Sequence, residues 1–180
     1  DRGVVLANSA ETLTRLPVAS ATNLADALGE LGAAINPEED VVLLYLTGRT
    51  NAAHELAFTM PPLVLDPINP TVLARMLADS GIKWRVIVLS ACHAAGFIEP
   101  LRDDNSLIIA ASGADQSQGC EAEESPSAFG QAFSQALGNT RSLADAFSAA
   151  RSAIGAKEGD ASGPQMHLGR AMKDKLAALQ

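Results

Sequence analysis

Three uninterrupted apolar runs constrain the fold of this chain more than any other feature. They are VVLLYLT at 41–47, WRVIVLSA at 84–91 and SLIIAAS at 106–112. Continuous apolar character, without alternating polar residues, is typical of strands that are buried on both faces. Stretches with apolar residues at helical spacing separate and follow these runs, at 23–35, 70–81, 127–137 and 142–154. This alternation predicts an α/β fold in which helices cover both faces of a mostly parallel sheet.

The remaining segments are interpreted from their own short sequence patterns. The short apolar run GVVLANS at 3–9 predicts a further strand, and 56–66 predicts an extended segment that prolines interrupt. Thr22 or Asn23 is suited to cap the first helix, because either side chain can accept a backbone N–H. With 180 residues and no visible repeat or linker, the chain is expected to form one domain over 1–180.

The composition argues against several functional classes. The net charge is -8 and the basic residues are scattered, which does not favour a nucleic-acid partner. No apolar stretch approaches the roughly 20 residues that a membrane-spanning helix needs. Cys92 and Cys120 are far apart and no cysteine–histidine spacing indicates a metal site, so neither a metal nor another cofactor is expected. The sequence carries no indication of an oligomeric state.

Two of the apolar runs end in polar residues. These ends are YLTGRTNAAH at 45–54 and LSACHAAG at 89–96. In an open parallel sheet, ligands and reacting groups collect at the carboxyl ends of the strands. We therefore expect the runs at 41–47 and 84–91 to be parallel neighbours near the middle of the sheet, with Arg49 and Cys92 on one face.

In this order, the two strand ends resemble the legumain-like (asparaginyl endopeptidase) cysteine peptidases of the caspase-like superfamily, and the bacterial members in particular. The resemblance extends over nearly the whole chain, and rests on PEEDVVLLYLTGRT, VLSACHAAGFIEPLRDD, SLIIAASGADQSQGCEAEESPSAFGQAF and PQMHLG. It implies a three-layer caspase-like sandwich that acts on, or binds, a peptide or protein. The family domain begins with a further strand, which this resemblance places upstream of Asp1.

The same resemblance implies the identity of the site residues. In the family pattern one strand ends in Thr-Ser-His-Gly, whose histidine is the catalytic base. The next ends in Ser-Ala-Cys-Tyr-Ser-Gly-Gly-Phe, whose cysteine is the nucleophile. Cys92 keeps the nucleophile position, but Arg49 occupies the position of the base. Thr50 replaces the glycine whose backbone N–H helps to form the oxyanion hole.

A substrate-binding region is also implied by the resemblance. It includes Ser90 before the nucleophile position, and Asp115 and Ser117 after the third apolar run. Gln131 stands where the asparagine-specific members carry an acidic residue, so asparagine specificity is not expected. Cys120 is interpreted as a passive part of the pocket wall, and the acidic residues within 121–124 as a solvated loop.

The chemistry of these residues favours a stabilised thiolate without turnover. A helix is expected to begin near Ala94, and its N-terminal N–H groups, together with Arg49, would lower the pKa of the Cys92 thiol. Arginine stays protonated, however, and cannot pass a proton to the leaving amine. Thr50 is also expected to alter the geometry of the oxyanion hole. The favoured interpretation is a catalytically impaired pseudopeptidase that retains its cleft.

Two alternatives stay open. The chain could be an active cysteine endopeptidase if His54 folds back over Cys92 as the base, although a loop histidine in solvent is the simpler interpretation. His93 is a weaker candidate for the base, because adjacent side chains at the end of a strand diverge. His167 is expected to be structural. A redox-sensitive thiol at Cys92 is the other alternative.

The cellular compartment is inferred from the resemblance alone. A bacterial relative would act in the cytoplasm or the periplasm. The chain opens at Asp1 without a methionine, which is consistent with removal of an upstream segment.

Overall fold

The computed structural model describes residues 3–115, 128–158 and 163–179. The strands within these residues are β1 Val41–Thr47, β2 Arg49–Thr50, β3 Leu56–Ala57, β4 Trp84–Ser90, β5 Ser106–Ala110 and β6 Gln165–Leu168. The central sheet has the order β1-β4-β5-β6, and β2 and β3 form a separate small hairpin. Strands β1, β4 and β5 are parallel, whereas β6 is antiparallel to β5. This mainly parallel sheet confirms the predicted α/β class.

The helices over the same residues are α1 Ala21–Ala34, α2 Pro70–Asp79, α3 Ile98–Leu101, α4 Ala128–Leu137, α5 Leu143–Glu158 and α6 Arg170–Ala178. Four of these helices, α1, α2, α4 and α5, fall where the helical spacing predicts them, whereas α3 and α6 lie outside the predicted stretches. The predicted cap of α1 is wrong, because Ser20 caps this helix by accepting the Asn23 N–H at 3.1 Å. Asn69 caps α2 in the same way.

Two apolar layers pack against the two faces of the sheet. On the first face, Ile87 and Ile108 contact a cluster that includes Leu28 of α1 and Leu73 of α2. On the second face the side chains that alternate with these, such as Ile109, pack against residues of α4, α5 and α6. Strands β4 and β5 are therefore buried on both sides, as their continuous apolar character predicts. The arrangement confirms a sandwich with helices on both faces.

Strand β1 departs from the prediction. It pairs in parallel with β4 as expected, but it lies at the edge of the described sheet instead of near the middle. Leu43 and Tyr45 are 60% and 51% exposed, so the strand is covered on one face only. A continuous apolar sequence occurs both in a strand buried on two faces and in an edge strand covered on one face, so the sequence could not distinguish these two positions in the sheet.

The run at 3–9 is also corrected, because the structure assigns no strand there. This segment is held locally instead, since the Ala7 N–H donates to Pro17 O at 3.0 Å and the Ala19 N–H donates to Ala7 O at 3.4 Å. Within the described residues, no helix has the length and apolar character needed to cross a membrane.

Candidate active site

The parallel register of β1 and β4 brings two chain segments together at one edge of the sheet. Thr47 is the register partner of Ser90, and the Thr47 hydroxyl donates to Ser90 O at 3.3 Å. Cys92 follows two residues later, and Arg49 follows β1 in the hairpin strand β2. The segments that the sequence singles out are therefore adjacent, and Ser90 is buried at their junction.

The β2–β3 hairpin lies against the segment that follows Cys92. The Thr50 hydroxyl donates to the carbonyl oxygen of Cys92. Four residues further, the His54 Nδ1 lies 3.1 Å from His93 O. Thr50 thus reaches the nucleophile position through its side chain, a contact that the glycine of the family pattern could not make.

His54 folds back toward the Cys92 segment, as the alternative hypothesis requires. Its ring lies over Gly96 so closely that a Cβ atom built at Gly96 would be 2.3 Å from the His54 Nδ1. Only glycine leaves room for this approach. Because Nδ1 faces a carbonyl oxygen, it carries the proton in the neutral ring, and Nε2 is then the basic nitrogen.

His93 is buried and has a different partner. Its side chain lies beneath the surface, with Nδ1 2.8 Å from Ala114 O. The hydrogen bond ties the turn after β4 to the segment after β5. Its ring centroid is 6.3 Å from that of His54, in an edge-on arrangement. Both histidines have positive φ values, 58° for His54 and 49° for His93, a conformation uncommon for residues other than glycine.

The helix predicted after Cys92 begins as a 3-10 turn, Ala94–Phe97, followed by the short α3. Its first N–H groups already have partners. The Ala94 N–H donates to Ser112 Oγ at 3.1 Å, and the Ala95 N–H donates to Ser112 O at 3.0 Å. The expectation that this terminus stabilises a thiolate is therefore wrong for these two N–H groups.

Ser112 is a site residue that the sequence analysis missed. It is buried, and its hydroxyl also donates to Ala91 O at 2.9 Å, so one side chain holds both sides of Cys92. The sequence did contain an indication of this role, because Ser112 is the polar residue that ends the third apolar run. Neighbouring parallel strands bring such residues to one edge of the sheet.

The sulfur of Cys92 is oxidised in this structure, where the residue is disulfide-bonded. A disulfide holds no thiolate, so Cys92 can act as a nucleophile only after reduction. The expectation of a stabilised thiolate therefore applies to the reduced protein. Cys120 is the other cysteine of the sequence and lies outside the described residues, as do the acidic residues within 121–124.

The predicted substrate-binding residues lie on different elements of the fold. Asp115 is exposed and follows Ala114, the partner of His93. Gln131 lies on the exposed side of α4, in the helix layer on the second face of the sheet. Ser117 lies outside the described residues. His167 lies on β6, with its Nε2 3.0 Å from Asp103 O, which agrees with a structural role.

The sequence profile of the peptidase C13 family matches residues 23–172, most of the chain. The chain belongs to this family. The resemblance to legumain-like cysteine peptidases is thereby confirmed. No curated protein matches the chain significantly.

Within this peptidase C13 chain, the matched residues span both strand ends and the turn that follows Cys92. Among the described residues, no group of three or more potential ligands could hold a metal ion.

Proposed function

We propose that this C13 family member is a pseudopeptidase, which keeps a peptide-binding cleft and has lost efficient peptide hydrolysis. The observation that carries the proposal is the arginine that follows β1, where the family pattern has its histidine. A base must take up a proton and then return it to the leaving amine. A guanidinium remains protonated at physiological pH and does neither.

The surroundings of Cys92 support the same proposal. The Ala94 and Ala95 N–H groups donate to Ser112, so they are engaged within the protein. The Thr50 hydroxyl is engaged by Cys92 O. The oxidised state of Cys92 removes the nucleophile until a reductant acts.

An active endopeptidase that uses His54 is the second candidate, and one observation favours it. The His54 ring lies over Gly96 with its Nδ1 directed to His93 O, which leaves Nε2 as the basic nitrogen. A base acts when it is within hydrogen-bond reach of the proton that it removes. Replacement of His54 therefore separates the two candidates.

The experiment measures cleavage of a broad peptide library by the reduced protein. Wild type is expected to match the Cys92→Ala background. Arg49→His should raise cleavage toward the roughly 10²–10⁴-fold contribution of a well-placed general base. Adding Thr50→Gly should increase it further, because one restored oxyanion donor contributes about 10²–10³-fold.

Two outcomes would contradict the pseudopeptidase proposal. Strong wild-type cleavage that disappears in His54→Ala would make His54 the base and the chain an active enzyme. Strong wild-type cleavage that survives both His54→Ala and His93→Ala would show that proton transfer uses a group other than these histidines.

A further inference from the structure

A single buried serine bridges the two sides of the turn that carries Cys92. The Ser112 hydroxyl donates to Ala91 O at 2.9 Å and accepts the Ala94 N–H at 3.1 Å. The backbone oxygen of Ser112 accepts the Ala95 N–H at 3.0 Å. Because Ser112 and Ala94 are both buried, loss of the hydroxyl would leave the Ala94 N–H inside the protein without this partner.

The turn depends on such support because its backbone conformation is uncommon. His93, which follows Cys92, has φ 49° and ψ 22°, in the left-handed region that favours glycine. A residue of another type persists in this region when the surrounding structure determines its conformation. The segment after β5 also holds the His93 side chain, whose Nδ1 lies 2.8 Å from Ala114 O. This segment therefore supports the turn on both sides of Cys92.

The position of Cys92 matters most when it reacts with a bound molecule. The rate of a reaction between two groups that are held in place depends steeply on their distance and alignment, and a misplacement of about 1 Å can lower it about 100-fold. The Cys92 side chain leaves the backbone between Ala91 and Ala94, the two residues that the Ser112 hydroxyl connects. This hydroxyl therefore restricts where the sulfur can lie.

We propose that Ser112 is a positioning residue, which orients the sulfur of reduced Cys92 toward a peptide that is bound in the cleft. Ser112 acts through the backbone on either side of Cys92, and its hydroxyl is engaged there instead of contacting the peptide. The inference rests on the proposed function, since it requires a cleft that still binds peptides.

The test uses a set of tetrapeptidyl chloromethyl ketones that differ in the residue before the reactive group. The thiolate sulfur of Cys92 forms a bond to the methylene carbon, and chloride leaves with the electron pair of the broken C–Cl bond. This step needs no general base, so it does not depend on which residue occupies the base position. Mass spectrometry of the Cys92 peptide gives kinact and KI for the reduced protein. Iodoacetamide, which has no peptide part, measures the intrinsic reactivity of the same thiolate.

Ser112→Ala is expected to lower kinact roughly 10–100-fold, because the sulfur is no longer held at the distance and angle of the reaction. KI should stay nearly unchanged. The iodoacetamide rate and its dependence on pH should also stay nearly unchanged, because a small diffusing reagent approaches the sulfur from many directions. Ser112→Thr keeps the hydroxyl and should retain most of kinact.

Ser106→Ala is the matched control. Ser106 is a completely buried serine at the other end of β5, and its hydroxyl also joins two backbone groups. It accepts the Asp103 N–H at 3.0 Å and donates to Asp103 O at 3.2 Å. This variant should lose stability in a urea titration, as Ser112→Ala does, and keep the wild-type kinact. An equal fall of kinact in both variants would show that Ser112 has a merely structural role.

The outcomes separate this inference from the proposed function. If no chloromethyl ketone labels wild-type Cys92 with saturation, the retained cleft is refuted, and the inference with it. If labelling saturates but Ser112→Ala keeps kinact, only the inference is overturned. A parallel fall of the iodoacetamide rate would also overturn it, because Ser112 would then act on the acidity or exposure of the thiol. If Ser112→Ala does not fold, Ser112→Thr still decides, since a loss of kinact in a folded variant that keeps the hydroxyl contradicts the proposal.

Discussion

At the scale of single residues, Cys92 determines what chemistry the site can perform. Its sulfur is disulfide-bonded, so brief treatment with iodoacetamide at neutral pH should leave Cys92 unlabelled until a reductant is added. The family resemblance places Arg49 at the position of the base, and we expect its positive charge to favour the thiolate of Cys92 after reduction. Arg49→Gln should therefore slow the labelling of reduced Cys92. Peptide mapping by mass spectrometry measures both effects.

The matched variant for this experiment is Cys120→Ser, because Cys120 is the other cysteine of the sequence. If the two cysteines pair within one chain, this variant should label at Cys92 without reductant. Rapid labelling of untreated wild-type Cys92 would show that the thiol is free in solution. An unchanged rate in Arg49→Gln would remove Arg49 as the source of its reactivity.

At the scale of elements, the β2–β3 hairpin is held by two side chains that reach the turn after Cys92. Gly96→Ala should displace the His54 ring, since the new Cβ would lie 2.3 Å from it. The clash involves the end of a side chain, so the fold should persist while the hairpin loosens. Hydrogen exchange at the amides of 50–56 should become faster.

Gly29→Ala is the control for this experiment, because nothing lies within 4 Å of its added Cβ. It should stabilise α1 by about 0.5–1 kcal/mol. Unchanged exchange in Gly96→Ala would mean that His54 does not anchor the hairpin.

The elements also show which structural features could be predicted from the sequence and which could not. Local patterns predicted the parallel strands and their helices, because continuous apolar runs and helical spacing are properties of neighbouring residues. The contacts that define the site join distant residues: Ser112 to Ala94, and His54 to His93. Nothing in the local sequence encodes such pairings. Arg49 and Cys92 were found through a family resemblance, whereas Ser112 needed the register of the sheet.

At the scale of the whole molecule, the sheet divides two apolar layers that share the same strands. Side chains alternate along β5, so Ile108 belongs to one layer and Ile109 to the other. A large core substitution on either face should therefore weaken the same cooperative unit. We expect Ile108→Ala and Ile109→Ala each to cost about 2–5 kcal/mol of unfolding free energy. Urea denaturation followed by circular dichroism and by tryptophan fluorescence should give coincident transitions for both variants. Separate transitions would show that the two layers unfold independently.

The last prediction concerns the edge position of β1. Because β1 lies at the edge, residues on β1 and on the neighbouring strand β4 differ in their exposure to solvent. Leu43 is 60% exposed, whereas Ile87, the register partner of Leu44, is completely buried. Leu43→Ala should therefore cost about 1 kcal/mol or less. Ile87→Ala removes atoms from a packed layer and should cost about 2–5 kcal/mol. Urea titrations of both variants measure the difference. A cost for Leu43→Ala as large as that for Ile87→Ala would show that the outer face of β1 is covered in solution.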